Sequence, residues 1–174
     1  MLTAQGLEIL ISNSSPEDLP GHTPDPTKWC VGIAVAPKFG KFYWTQKGPS
    51  RDGQGRLLCA NITKDPASKQ ASDIQCLVSR LSKSIDLEVA EASSVLYWTD
   101  RVEKPFGESL SRMQLNASGV LMQKHEVICQ NFNEAIGLKL DIKRGHIYIT
   151  DLGGTVYLCD LDGQQKKKVC SLEY

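Results

Sequence analysis

An all-β fold built from three copies of one four-stranded antiparallel unit is what this sequence predicts, and three observations carry the prediction. Three segments align without a gap: VGIAVAPKFGKFYWTQ at 31–46, IDLEVAEASSVLYWTD at 85–100 and IGLKLDIKRGHIYITD at 136–151, at offsets of 54 and 51 residues. Self-similarity at such a period fixes an architecture before any local motif does. Within each copy apolar side chains alternate, Ile33 with Val35, Leu87 with Val89 and Leu138 with Leu140, which is the period of a half-buried strand. No segment sustains an apolar pattern at helical period. ASDIQCLVSRLSKSI at 71–85 comes nearest, and its place in the repeat argues for strand.

The elements follow in order. GLEILI at 7–12 is an extra strand ahead of the first unit. The first unit, 29–80, opens with a hairpin whose strands flank APKFG, continues through RLLCANI (56–62) and ends in a weaker fourth strand at DIQCLV (73–78). The second unit, 84–131, repeats the hairpin and adds SLSRMQL (109–115) and EVICQ (126–130). The third, 135–174, adds TVYLCDL (155–161) and KKKVCSLEY (166–174), whose lysines suit the guard of an exposed sheet edge. Polar or glycine-containing turns separate the strands, as hairpins require. Four-stranded meanders in radial array make a β-propeller.

The motifs resemble a known family. FYWTQ (42–46), LYWTD (96–100) and IYITD (147–151), each behind a GIAV-like strand, with an LDG-like turn at Asp160, Leu161, Asp162 and Gly163, resemble the YWTD repeats of low-density-lipoprotein-receptor class B propellers. The likeness is nearest to soluble microbial YWTD propellers, through WCVGIAV (29–35), YWTQKGP (43–49), GQGR (53–56), LYWTDR (96–101) and TDLGG (150–154). That family implies six blades, whereas three repeats are present, with 7–12 similar to the outermost strand of a preceding blade. Propellers close with four to eight blades, so three leave two open faces. The expected solution is a homodimer completing a six-bladed ring about a two-fold axis; a fragment of a longer propeller is the alternative. Residues 7–12 are expected to cross to the partner's third blade, or to pair beside 166–174, as a clasp.

Composition narrows the partners. A chain of 174 residues with 41% hydrophobic and 23% charged residues is ordinary globular material. Twenty basic against twenty acidic residues give zero formal charge, without the basic excess that nucleic acid demands. No apolar stretch approaches the roughly 20 residues of a membrane span, and the first twenty residues lack a signal-peptide pattern, so a cytoplasmic protein away from membranes is expected. The six cysteines are widely spaced, with no CxxC, and predict reduced thiols rather than zinc ligands or disulfides. The sequons at Asn13, Asn61 and Asn116 carry no weight without export. No metal, redox cofactor or nucleotide motif is legible.

Candidate functional residues come from the repeat geometry. First strands line a propeller's channel, and the loops entering them share a rim with the loops between second and third strands. Where the first and third repeats carry Gly32 and Gly137 the second carries Asp86, and the Ala34 position becomes Glu88 and Lys139. Asp86, Glu88, Lys139 and the rim residue Arg101 are the candidate acid, base and electrostatic partners; mutual pairing of buried charge is the structural alternative. Trp29, Lys47, Arg51 and Glu134 are candidate ligand contacts on the rim, with Trp29 either stacking on a ligand or packing beneath a loop. Trp44 and Trp98 are assigned to inter-blade core, and Asp100 and Asp151 resemble the family's structural Asp. His22, His125 and His146 are read as exposed. The resemblance implies either a cofactor-free reaction on an apolar small molecule, such as a cyclase or pericyclase of natural-product biosynthesis, or a non-catalytic protein-binding propeller, or an inactive truncated propeller.

Overall fold

The computed structural model describes residues 29–48, 53–62, 73–101, 108–120 and 124–171. Twelve strands form three four-stranded antiparallel sheets, each a meander in chain order. The first holds β1 (Cys30–Ala36), β2 (Lys41–Gln46), β3 (Gly55–Asn61) and β4 (Gln75–Leu81). The second holds β5 (Ser84–Ala90), β6 (Val95–Asp100), β7 (Ser109–Gln114) and β8 (Glu126–Gln130). The third holds β9 (Ala135–Asp141), β10 (His146–Asp151), β11 (Thr155–Asp160) and β12 (Lys167–Ser171). These are three blades of a β-propeller, a half-propeller. One short 3-10 turn, Pro37–Phe39, interrupts the strands. The segment 71–85 is strand rather than helix where it is described, and the fourth strand expected at 73–78 lies at Gln75–Leu81. Two register irregularities between β3 and β4 move the pairing, so that Leu77, Val78 and Leu81 turn into the core. The clasp strand 7–12 and His22 lie outside the described residues.

Each β-hairpin turns at one repeat position. Gly40, Ser94 and Gly145, aligned across the three copies, all take positive φ, at 60°, 58° and 69°. Glycine tolerates that conformation without a Cβ clash, and Ser94 adopts it because the same hairpin geometry is imposed on it.

Between the blades lie the cores. Ala36, Tyr43, Leu57 and Cys59 of the first blade meet Leu87, Leu96, Trp98 and Met113 of the second in one buried cluster. Tyr97, Leu110 and Cys129 of the second meet Leu138, Ile147, Ile149 and Cys159 of the third in another. Cys129 and Cys159 meet there, and their shared hydrogen bond together with burial pushes the Cys159 thiol up. Trp44 does not join either contact. It packs with Leu58, Ala60 and Phe42 on the first blade's other face, because alternation sends Trp44 and Tyr43 to opposite sides of β2. Lys166, expected as part of a solvated lysine run, instead ties two blades. Its ammonium donates to the carbonyls of Gln130 at 2.6 Å and Asn131 at 3.0 Å and sits 4.6 Å over the Phe132 ring. The Lys167–Ser171 strand that follows is exposed throughout, as an edge guard should be.

The first two blades approach each other closely at Gly32. A Cβ there would stand 2.4 Å from the Ile85 carbonyl oxygen and 2.9 Å from the Asp86 Cα. Both are backbone atoms, so the strands themselves would have to part. Gly32→Ala is expected to destabilise the fold by about 1–3 kcal/mol, the usual range for overpacking, read as a lower urea midpoint at unchanged slope.

Candidate functional site

The inter-blade linkers and the loops after second strands meet at one rim. The amide of Lys47 donates to the Trp29 carbonyl at 3.1 Å, that of Arg101 to the Lys83 carbonyl at 2.9 Å, and that of Leu152 to the Glu134 carbonyl at 3.2 Å. The same bond thus recurs in all three blades. It fixes the residue before each inner strand beside the residue after each second strand. Beneath it the motif aspartates act on backbone. Asp100 accepts from the Lys83 amide at 2.7 Å, and Asp151 accepts from the amides of Asn133 at 2.9 Å and Thr155 at 3.0 Å. Both hold backbone amides, the structural role that the resemblance to YWTD repeats implies. Burial raises the carboxyl of Asp100 to about 7 against the pull of the Lys83 amide.

Above these bonds the rim carries an indole and three cations. Trp29 is 46% exposed, and the Lys47 ammonium lies 4.5 Å from its ring centroid, a cation–π contact. Burial and then the neighbouring Arg101 and Lys47 charges push the Lys83 ammonium below its usual range, with Glu134 opposing. Lys47, Lys83 and Arg101 therefore act within one electrostatic neighbourhood. Glu134 is engaged by Arg101, whose Nε donates at 2.5 Å. Lys83 was not singled out from the sequence; its position immediately before the second inner strand, equivalent to the linker positions of Trp29 and Glu134, is the signal that marks it. Arg51 lies outside the described residues.

The channel-lining candidates are arranged differently. Asp86 spends both oxygens on backbone: Oδ1 accepts from the Leu87 amide and Oδ2 from the Leu138 amide, each at 2.9 Å. It thereby staples the second inner strand to the third. Glu88 and Lys139, at one repeat position on adjacent strands, form an ion pair. The structure brings Trp29, Lys47, Arg101 and Glu134 together at the rim, and places Glu88 with Lys139 further along the channel. His125 sets its ring edge-on to Trp98, centroids 5.3 Å apart, and burial pulls its pKa down. His125 is nonetheless exposed, as expected, whereas His146 opens β10 and is partly buried beside Tyr148. Among the described residues no group of three His, Cys, Asp or Glu side chains is arranged to hold a metal ion, and no helix is long and apolar enough to cross a membrane.

Comparison with known proteins bears on the architecture. No family model matches the chain. It is 38% identical over 173 residues to a Pyricularia oryzae protein named "Low-density lipoprotein receptor-related protein 1", covering 95% of this chain and 54% of that protein. It is 44% identical over 154 residues to a Cochliobolus heterostrophus protein named "3-hydroxyacyl-CoA dehydrogenase-like protein LAM1", covering 83% of this chain and 32% of that one. This chain thus spans about half and about a third of those two relatives. Among solved structures, a protein of unknown function from Bacteroides thetaiotaomicron superposes with a TM-score of 0.60 at 14% identity, over 84% of this chain and 32% of that one. An auxiliary nutrient binding protein from the same organism gives 0.60 at 13%, over 83% and 31%, and a Lactobacillus plantarum protein gives 0.59 at 17%, over 83% and 42%. The shared architecture is propeller-like. A dinucleotide-binding unit alternates strands with helices, whereas the sheets among the described residues here are antiparallel meanders.

Proposed function

We propose that the chain is a YWTD-type half-propeller, its blades spanning 29–80, 84–131 and 135–174, that binds an acidic peptide segment of a partner protein at the rim. One observation carries the reading: an exposed indole under a lysine, with Lys83 and Arg101 in the same electrostatic neighbourhood. An aromatic face with converging cations suits a carboxylate-bearing chain, because the indole takes apolar side-chain surface while the cations draw the charge. The name of the receptor-related relative accords with an interaction module.

A cofactor-free reaction on an apolar molecule in the channel, of cyclase or pericyclase type, is the second reading, favoured by the convergence of Asp86, Glu88 and Lys139 along the inner strands. It asks those groups for chemistry while Asp86 holds two backbone amides and Glu88 and Lys139 pair with each other. A fluorescein-labelled peptide rich in Asp and Glu should raise its anisotropy on titration with the protein, more strongly at low salt. Lys47→Glu and Arg101→Glu should each weaken it about tenfold, worth about 1.4 kcal/mol, while Glu88→Gln leaves it in place. Binding unaffected by either charge reversal would overturn the reading.

A further inference from the structure

The two inter-blade contacts are held by one repeated device. In the first blade the Thr45 hydroxyl accepts from the Gly32 amide at 2.8 Å and donates to the Ile85 carbonyl of the second blade at 2.8 Å. In the second, Thr99 accepts from the Asp86 amide at 3.2 Å and donates to the Ile136 carbonyl of the third at 3.3 Å. Two residues earlier, a tyrosine reaches across the same way: Tyr43 donates to the Gly119 carbonyl at 2.8 Å, and Tyr97 to the Leu161 carbonyl at 3.2 Å. The carbonyls that accept from the threonines lie where each inner strand breaks register with its neighbour. The breaks fall between Ser84 and Leu87 in β5 and between Ala135 and Gly137 in β9. A bulge turns a carbonyl out of its own ladder, which frees it for the neighbouring blade.

The third blade carries the same donors. Thr150 accepts from the Gly137 amide at 3.1 Å, in register with Thr45 and Thr99, and Tyr148 stands in register with Tyr43 and Tyr97. Among the described residues neither hydroxyl has an acceptor on a further blade. The first blade carries the matching receiver. Its β1 has the same register break, between Cys30 and Ile33, which puts the Val31 carbonyl at the position of Ile85 and Ile136. Val31, Ile33 and Val35 are 47%, 66% and 58% exposed. Their counterparts Leu87 and Leu138 are buried in the inter-blade cores, with Val89 and Leu140 packed against them.

We propose that a second copy of this chain docks on each of these faces, Thr150 of one copy donating to the Val31 carbonyl of the other and Tyr148 reaching across beside it. Among the described residues the donors stand on the third blade and the receiving carbonyl and apolar stripe on the first, so two copies would satisfy each other twice about a two-fold axis. Six blades result, within the range at which propellers close. This docking rests on the repeated inter-blade hydrogen bonds and not on the rim's ligand.

Sedimentation velocity of the 174-residue chain at micromolar concentration is expected to show a discrete species at twice the 19.2 kDa chain mass. Ile33→Asp should reduce it to the monomer, because a carboxylate cannot be buried unpaired at that seam. The double variant Tyr148→Phe with Thr150→Val keeps side-chain volume while removing both donors. It should raise the dimer dissociation constant at least tenfold, and it decides the matter if Ile33→Asp fails to fold. A wild-type chain that is monomeric, or that forms no discrete species of twice its mass, overturns the proposal, as does a double variant dimerising with wild-type affinity.

Discussion

Replacing Trp98 by alanine is expected to destabilise the protein by about 3–5 kcal/mol, the range for deleting a buried aromatic from a packed core. Trp98 is fully buried and packs in the cluster that joins the first two blades, among them Leu57, Leu87 and Met113. Its loss opens a cavity where neither sheet can close independently, since each strand is held by its own ladder. For a chain of this size the melting temperature should fall by about 10 °C. Trp29→Ala at the rim provides the contrast: its indole is half exposed and contacts Lys47, so stability should change by about 0.5 kcal/mol or less. Calorimetry of the two variants checks both statements, and equal losses would contradict this placement of the two indoles.

The second large effect is a pH dependence at Asp100. Burial lifts its carboxyl from the ordinary 3.8 to about 7, so between those values the folded chain holds a proton that the unfolded chain releases. Folding stability from this group is therefore complete below about pH 4, declines as pH rises, and is lost above about 7. The full span is about 4 kcal/mol, at 1.36 kcal/mol for each pH unit. Asp100→Asn keeps an oxygen to accept from the Lys83 amide and removes the titration. The stability of the variant relative to wild type should accordingly rise by about this amount between pH 4 and pH 8, measured by urea unfolding at each pH. A difference that stays flat, or falls, would show that the carboxylate is charged at neutral pH in the folded protein.

The sequence disclosed the repeat, and with it the fold, because alternation and a fixed offset survive in every copy. Thr150 follows Tyr148 by two residues as Thr45 follows Tyr43, and that spacing alone marked both as members of one set. What the set does was not legible, since the acceptors of Thr45 and Thr99 sit 40 and 37 residues away on another sheet and depend on a bulge that no residue type announces. Asp86 presents the converse case. Standing where two glycines stand in the other copies, it drew attention as an acid or base, yet its carboxylate closes two backbone amides that a glycine at this position would leave to other partners. Trp44 and Trp98 look equivalent in the repeat and occupy equivalent positions. They differ because the first blade has no blade before it among the described residues, so the same face meets different neighbours.

The rim was legible as a place and not as a charge distribution. The loop assignment of the repeat puts Trp29, Lys47, Arg101 and Glu134 on one rim, and strand alternation puts Asp86, Glu88 and Lys139 toward the same end of the channel as Trp29 and Arg101. That the cations dominate became visible through Lys83, whose ammonium is depressed by Arg101 and Lys47 as well as by burial, and through Glu134, which Arg101 holds.

Two-dimensional amide NMR of the protein titrated with an unlabelled peptide rich in Asp and Glu tests the rim most directly. The indole N–H of Trp29 and the backbone amides of Lys47, Lys83 and Arg101 should shift progressively with peptide, while those of Arg144 and Tyr148, towards the opposite end of the third blade, stay in place. Shifts gathered instead around Glu88 and Lys139, or around Arg144, with Trp29 unmoved, would contradict the assignment of this rim as the binding face.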